Sequence, residues 1–173
     1  MRYVELRRHT DSEGDRLTPR GVAEAEMIGR DLLHPPYAAF VSTGAARATQ
    51  MLEILRYAAG QDHTPITAAP GLRSSVEDRW RGAAEAAGKG ADLDAIRAID
   101  PNLVEKESLL LASALRQVTE GLPEGGRALI VGHSPTNEAA VLGLAAQIVP
   151  PLGKGKGILL MEDGGDYRVE PLD

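Results

Sequence analysis

Met1-Arg2-Tyr3-Val4-Glu5-Leu6-Arg7-Arg8-His9, followed shortly by Leu17-Thr18-Pro19-Arg20-Gly21, is where the fold can first be read. Tyr3 to Arg7 is a short β-prone run that ends on an arginine–histidine pair. Thr18 then supplies an N-cap hydroxyl, and Pro19 occupies a first helical turn, where a missing N–H leaves no hydrogen bond unmade. Val22, Ala25, Ile28 and Leu32 recur at helical spacing on one face. A strand handing the chain to an amphipathic helix is the opening half of a βα unit.

The same alternation continues outward. Ala38 to Val41 reads as a second strand, and Ala45, Ala48, Met51, Leu52 and Leu55 mark the inner face of the next helix. Pro65 to Ala69 is a weaker third strand. A helix carrying Leu111, Leu115 and Val118 precedes the strand Ala128 to Val131, and a largely apolar helix runs from about Asn137 to Ile148. Ile158 to Met161 and Tyr167 to Val169 form a closing hairpin across Asp163-Gly164-Gly165. The class is α/β: a three-layer sandwich with a mostly parallel central sheet flanked by helices. Residues 1–173 read as one domain, within which the irregular, Ala- and Gly-rich stretch 71–104 is a lid or a helical insert.

Composition narrows the function classes. The net charge of −6 argues against a broad nucleic-acid or membrane surface, so an anionic ligand would need a local positive field. No cysteine is present, which removes disulfides, thiolate metal sites and cysteine nucleophiles. No apolar run is of membrane-spanning length, and the first residues read as a strand and not as a signal peptide, so a cytoplasmic location is expected.

In an open α/β sheet, ligands bind beyond the carboxyl ends of the strands. The first strand end delivers Arg8 and His9. The second delivers Ser42-Thr43-Gly44 and, one helical turn on, Arg47; the third leads to the loop Arg73-Ser74-Ser75-Val76-Glu77; the fourth delivers Gly132-His133-Ser134. Those types suit phosphoryl transfer. Forked guanidinium groups match phosphoryl oxygens bidentately, and the helix start carrying Arg47 adds free backbone N–H groups. A neutral imidazole can attack phosphorus near pH 7, and flanking arginines push its pKa downward. A nearby carboxylic acid can protonate the leaving oxygen and then activate water.

Leu6-Arg7-Arg8-His9, Leu17-Thr18-Pro19-Arg20-Gly21, Ser42-Thr43-Gly44-Ala45-Ala46-Arg47-Ala48-Thr49-Gln50 and Val131-Gly132-His133-Ser134 together resemble the histidine phosphatase superfamily. That superfamily includes cofactor-dependent phosphoglycerate mutases and phosphohistidine phosphatases. The resemblance runs in register from residue 3 to about residue 145. It implies a phosphoglycerate mutase-like fold, phosphorylation of His9, and a phosphate pocket lined by Arg8, Arg47 and His133. It places the proton donor after the third strand, where Glu77, followed by Trp80 and Gly82, matches and Asp78 is the rival. The chain departs from the pattern at Thr10, where a glycine usually follows the histidine. Only seven residues separate His9 from Leu17, a compactness that looks like the small bacterial phosphohistidine phosphatases.

The expected activity is therefore a metal-independent phosphatase acting through a phosphohistidine on His9, with no cofactor. A small phosphorylated molecule or a protein phosphohistidine would be its substrate. The alternatives are a phosphoglycerate mutase-type phosphotransferase and a non-catalytic phosphate-binding module on the same fold. A serine hydrolase is excluded: no histidine follows Ser134, and Pro135 has no N–H for an oxyanion hole. His34 and His63 read as surface residues, Gly153-Lys154-Gly155-Lys156-Gly157 as a flexible connector, and Asp163-Gly164-Gly165-Asp166 as a turn.

Overall fold

A computed structural model describes residues 1–32 and 35–173; His34 lies outside the described residues. The strands are β1 (Arg2–Arg8), β2 (Ser12–Glu13), β3 (Arg16–Leu17), β4 (Ala39–Ser42), β5 (Ile66–Ala68), β6 (Arg127–Gly132), β7 (Gly157–Asp163) and β8 (Asp166–Leu172). The helices are α1 (Pro19–Arg30), α2 (Ala46–Ala58), α3 (Glu77–Ala87), α4 (Leu93–Ile99), α5 (Pro101–Glu120) and α6 (Thr136–Ala145). Six strands form the central sheet in the order β5-β4-β6-β1-β7-β8. Contacts β4–β5, β4–β6 and β1–β6 are parallel, whereas β7 and β8 run antiparallel at one edge. The mostly parallel α/β sheet expected from the sequence is the one observed.

Alternation along the strands decides the layers. On β6, Ala128 and Ile130 face one way and join Val4, Leu6, Leu103, Leu111, Leu115 and Val141. Leu129 and Val131 face the other way and join Phe40, Met51, Leu52 and Leu55, under α1 and α2. Period-2 strands thus supply both apolar faces of the middle layer. The α1 cap is as expected: the Thr18 side chain accepts from Gly21 N–H at 3.0 Å, with Pro19 in the first turn.

Segment 71–104 is helical, containing a 3₁₀ turn at Pro70–Leu72, then α3, α4 and the start of α5. Its Trp80, Ala83, Leu93 and Ile96 are buried in the core on that side of the sheet. The apolar helix read to Ile148 ends earlier, at Ala145, because Ala146 turns into the left-handed region at φ 55°. One element went unread. The β2–β3 hairpin between His9 and α1 has two-residue strands in a polar stretch, too short to show any periodicity.

The Gly-Lys-Gly-Lys-Gly run is no loose connector. Arg8 N–H donates to the Lys156 carbonyl at 2.9 Å, Gly155 N–H donates back to the Arg8 carbonyl at 3.1 Å, and Lys154 pairs with Asp11. Among the described residues, no helix is long and apolar enough to cross a membrane.

Leu115 is fully buried between α5 and the sheet, so Leu115→Ala leaves a cavity and should cost about 2–5 kcal/mol. Leu110, on the same helix but 56 % exposed, should change stability by less than about 0.5 kcal/mol on truncation. Denaturant unfolding of the two variants checks this expectation.

Candidate active site

Parallel pairing of β1 with β6 brings the first and fourth strand ends side by side. Arg8 pairs with Gly132, and His9 N–H donates to the Gly132 carbonyl at 3.0 Å. The next residue of each strand is a histidine, and the two rings meet edge to face with centroids 5.3 Å apart. The strand end packs closely on α6: a Cβ at Gly132 would lie 2.4 Å from the Asn137 side-chain oxygen, which would have to shift.

Hydrogen-bond partners assign both imidazole tautomers. The Thr10 carbonyl can only accept, so His9 Nδ1 carries the proton it donates at 2.8 Å. His9 Nε2 is left with a lone pair, and Arg47 Nε–H donates to it at 3.3 Å. Arg47 Nη2 likewise faces His133 Nδ1 at 3.3 Å, which leaves the His133 proton on Nε2, donated to Thr43 Oγ1 at 2.9 Å. A single guanidinium thus spans two lone pairs.

That arrangement needs both rings neutral, and the surroundings favour it. Burial lowers the His9 pKa; the Thr10 carbonyl opposes this, and Arg47, Arg8 and Lys154 reinforce it. Burial, followed by Arg47, takes His133 down to about 3. The flanking arginines expected from the sequence do push in the expected direction, although burial is the larger cause in each case.

A pocket of ≈ 300 Å³ opens above the histidines, lined by Arg8, His9, Arg47, Glu77, Trp80 and His133 among others. All five residues expected around a phosphoryl group therefore converge. Asp78, the rival proton donor, is not in that lining; its side chain is 97 % exposed and pairs with Arg81. Glu77 opens α3 and accepts from Arg73 Nε at 2.6 Å. That hydrogen bond holds its carboxyl below the usual range, so it is ionised at neutral pH. A larger cavity of ≈ 980 Å³ between α1 and the β1–β7 edge contains neither histidine.

Thr10 is accommodated without left-handed backbone. It is fully buried, and its hydroxyl donates to the Gly21 carbonyl at 2.8 Å, tying the turn after His9 to α1. Gly21 has to be glycine, since a Cβ would sit 2.0 Å from the Asp11 carbonyl oxygen.

Two carboxylates near the site escaped the sequence reading. Glu138, in the first turn of α6, is 2 % exposed; it accepts from Ser134 Oγ and from Leu152 N–H at 3.4 Å, near Arg8. A lone acid in an otherwise apolar helix was its only signal. Ser134 is thus engaged by a carboxylate and not by a histidine. Asp15, at the tip of the β2–β3 hairpin, accepts from Ala46 N–H, Arg47 N–H and Arg47 Nη1. The backbone donors at the start of α2, expected to be free, are therefore occupied. Among the described residues, no three His, Asp or Glu side chains gather where they could hold a metal ion.

No protein-family model and no curated protein sequence matches the chain. Solved structures do. A phosphoglycerate mutase from Bacillus anthracis superposes with a TM-score of 0.76 at 18 % identity, covering 98 % of this chain and 92 % of its own. A phosphoserine phosphatase from Entamoeba histolytica, in complex with 3-phosphoglyceric acid, gives 0.71 at 14 % identity, over 100 % and 98 % of the two chains. The protein histidine phosphatase SixA, complexed with tungstate, gives 0.60 at 17 % identity, over 99 % and 96 %. The chain has the phosphoglycerate mutase fold. The resemblance carried by four short motifs extends to the whole architecture.

The tautomers are directly testable by long-range ¹H–¹⁵N correlation. At pH 7 both rings should be neutral, His9 protonated on Nδ1 and His133 on Nε2. Because both pKa values are lowered, acid must reach below the ordinary imidazole value of 6.5 before either charges. An imidazolium at His133 at pH 6 would refute the arrangement.

Proposed function

We propose that the protein is a phosphatase that hydrolyses a phosphomonoester or phosphoramidate through a phosphohistidine on His9. The observation that carries this reading is the tautomer of His9. Its Nδ1–H is committed to the Thr10 carbonyl, so the Nε2 lone pair faces the pocket beside two arginines.

In the first step the Nε2 lone pair attacks phosphorus, an N–P bond forms, and the bond to the leaving group breaks. Arg47 turns from the imidazole lone pairs to the phosphoryl oxygens. Arg8 donates one N–H to the Leu152 carbonyl at 2.7 Å and keeps a buried, unpartnered Nε–H. An oxygen of the transferred group would satisfy it. His133, edge to face with His9 at 5.3 Å, borders the same pocket with its Nε2–H held by Thr43 Oγ1. In the second step water attacks the phosphohistidine, orthophosphate leaves, and neutral imidazole is restored. Arginines do the charge neutralisation, which makes a divalent metal unnecessary.

Glu77 is the carboxylate placed to move protons. Ionised in the resting state by Arg73, it is poised as the base that activates water in the second step. It serves as acid in the first step only when protonated, which favours leaving groups that depart readily.

Brief incubation with a radiolabelled phosphoryl donor, then denaturation, should trap an acid-labile, alkali-stable adduct, with excess chelator making no difference. His9→Ala should abolish it. An acid-stable adduct, one surviving in His9→Ala, or complete loss in chelator would overturn the mechanism.

Glu77→Gln cannot accept a proton from water. With nitrophenyl phosphate it should give a burst of nitrophenol and then a steady state slower by roughly a hundredfold, the usual scale for lost acid–base catalysis. Asp78→Asn should leave the steady-state rate within about twofold of the parent, as for an exposed residue outside the pocket. Stopped-flow absorbance distinguishes the two.

A further inference from the structure

Four cations around the histidine pocket already have carboxylates of their own. Arg47 donates to Asp15 at 2.9 Å, Arg73 to Glu77 at 2.6 Å and Arg81 to Asp78 at 2.8 Å, while Lys154 pairs with Asp11. Of these pairs, Asp15–Arg47 is the one whose arginine bonds both histidines.

Asp15 stands next to Gly14, whose φ of +59° makes the tight turn of the β2–β3 hairpin. Its Oδ1 accepts from Arg47 N–H at 3.1 Å and from Arg47 Nη1, and its Oδ2 accepts from Ala46 N–H at 3.2 Å. Partial burial works against its charge. The N–H groups of Arg47 and Ala46 and the guanidinium outweigh this, and the carboxyl is held below the usual range. With one edge clamped by Asp15, the guanidinium turns its Nε to His9 and its Nη2 to His133. Removing Asp15 would free Arg47 and also leave a positive helix start unmatched at the rim.

The charge balance has a consequence for what can bind. A phosphoryl group can take the free donors of Arg8 and Arg47. A second anionic group on the same molecule would meet the pocket-lining Glu77 or Glu85, with Asp15 already on Arg47 and the pocket's Arg81 already paired with Asp78. We propose that Asp15 is a positioning and specificity-determining residue. It aims Arg47 at both histidines, and it restricts the pocket to phosphoryl groups on neutral or cationic carriers, against those bearing a carboxylate or second phosphate nearby. This deepens the phosphatase reading and rests on it.

Binding to a variant that cannot turn over separates the two ideas. Calorimetry on His9→Ala would compare phenyl phosphate, whose carrier is neutral, with 3-phosphoglycerate, which adds a carboxylate. Phenyl phosphate should bind at least about tenfold more tightly, since like-charge contacts discriminate by that order or more. In His9→Ala/Asp15→Asn the ratio should narrow about tenfold, with 3-phosphoglycerate gaining in absolute affinity. Asp15→Glu, which keeps the charge, should keep the discrimination, and Asp15→Ser supplies the same comparison if the Asn variant does not fold. An equal loss for both ligands would make Asp15 structural only and overturn the specificity role, as would an unchanged ratio. If the ratio shifts as stated while wild-type protein hydrolyses no phosphoryl donor, the phosphatase reading falls and the Asp15 assignment stands. Failure to bind phenyl phosphate at all would overturn both.

Discussion

The parallel pairing of β1 with β6 is the constraint on which the rest depends. Parallel strands end at the same edge of a sheet, so whatever follows each strand is delivered to one place. Here the register that matches Arg8 with Gly132 leaves two histidines as neighbours. The hydrophobic faces enforce that register. A slip by one residue would turn Val4 and Leu6 out of one core layer and drive Glu5 and Arg7 into it. Core packing and site geometry are therefore one decision made twice.

Around those strand ends, a few hydrogen-bond partners decide the electronic state of the imidazoles. The Thr10 carbonyl holds the proton of His9 on Nδ1, and Thr43 holds that of His133 on Nε2. Both remaining lone pairs point at Arg47. Burial disfavours the charged rings and the guanidinium disfavours them further, so the two effects act in the same sense. An arginine that would be repelled by imidazolium becomes the bridge between two neutral rings.

The loop between His9 and α1 shows how a short connection can be fully employed. Thr10 is anchored to Gly21, Asp11 receives Thr18 and Lys154, and Asp15 reaches the start of α2. The two-residue strands between them keep the hairpin tip over the arginine. On the other side, Glu138 and the Leu152 backbone tie Arg8 to the chain entering β7. Each pocket-lining arginine is thus set by contacts from a different part of the sequence.

The α/β class, the strand ends and the histidine–arginine pairs were legible in the sequence because each rests on local information. Strand and helix periods differ, Thr18-Pro19 marks a helix start, and the end of a strand in such a sheet is where ligands bind. Arg8, His9, Arg47 and His133 could be named from that alone. The choice of Glu77 over Asp78 could not, since both carboxylates are adjacent in the chain and only the start of α3 turns one to the pocket and the other to solvent. Nor could Asp15 or Glu138, which act on residues 32 and 130 positions away, respectively. Local sequence determined which residues the strands would deliver. Tertiary structure decided which nitrogen of each imidazole carries its proton and which carboxylate holds each arginine, because hydrogen bonds and desolvation depend on neighbours in space, and neighbours along the chain carry no record of them.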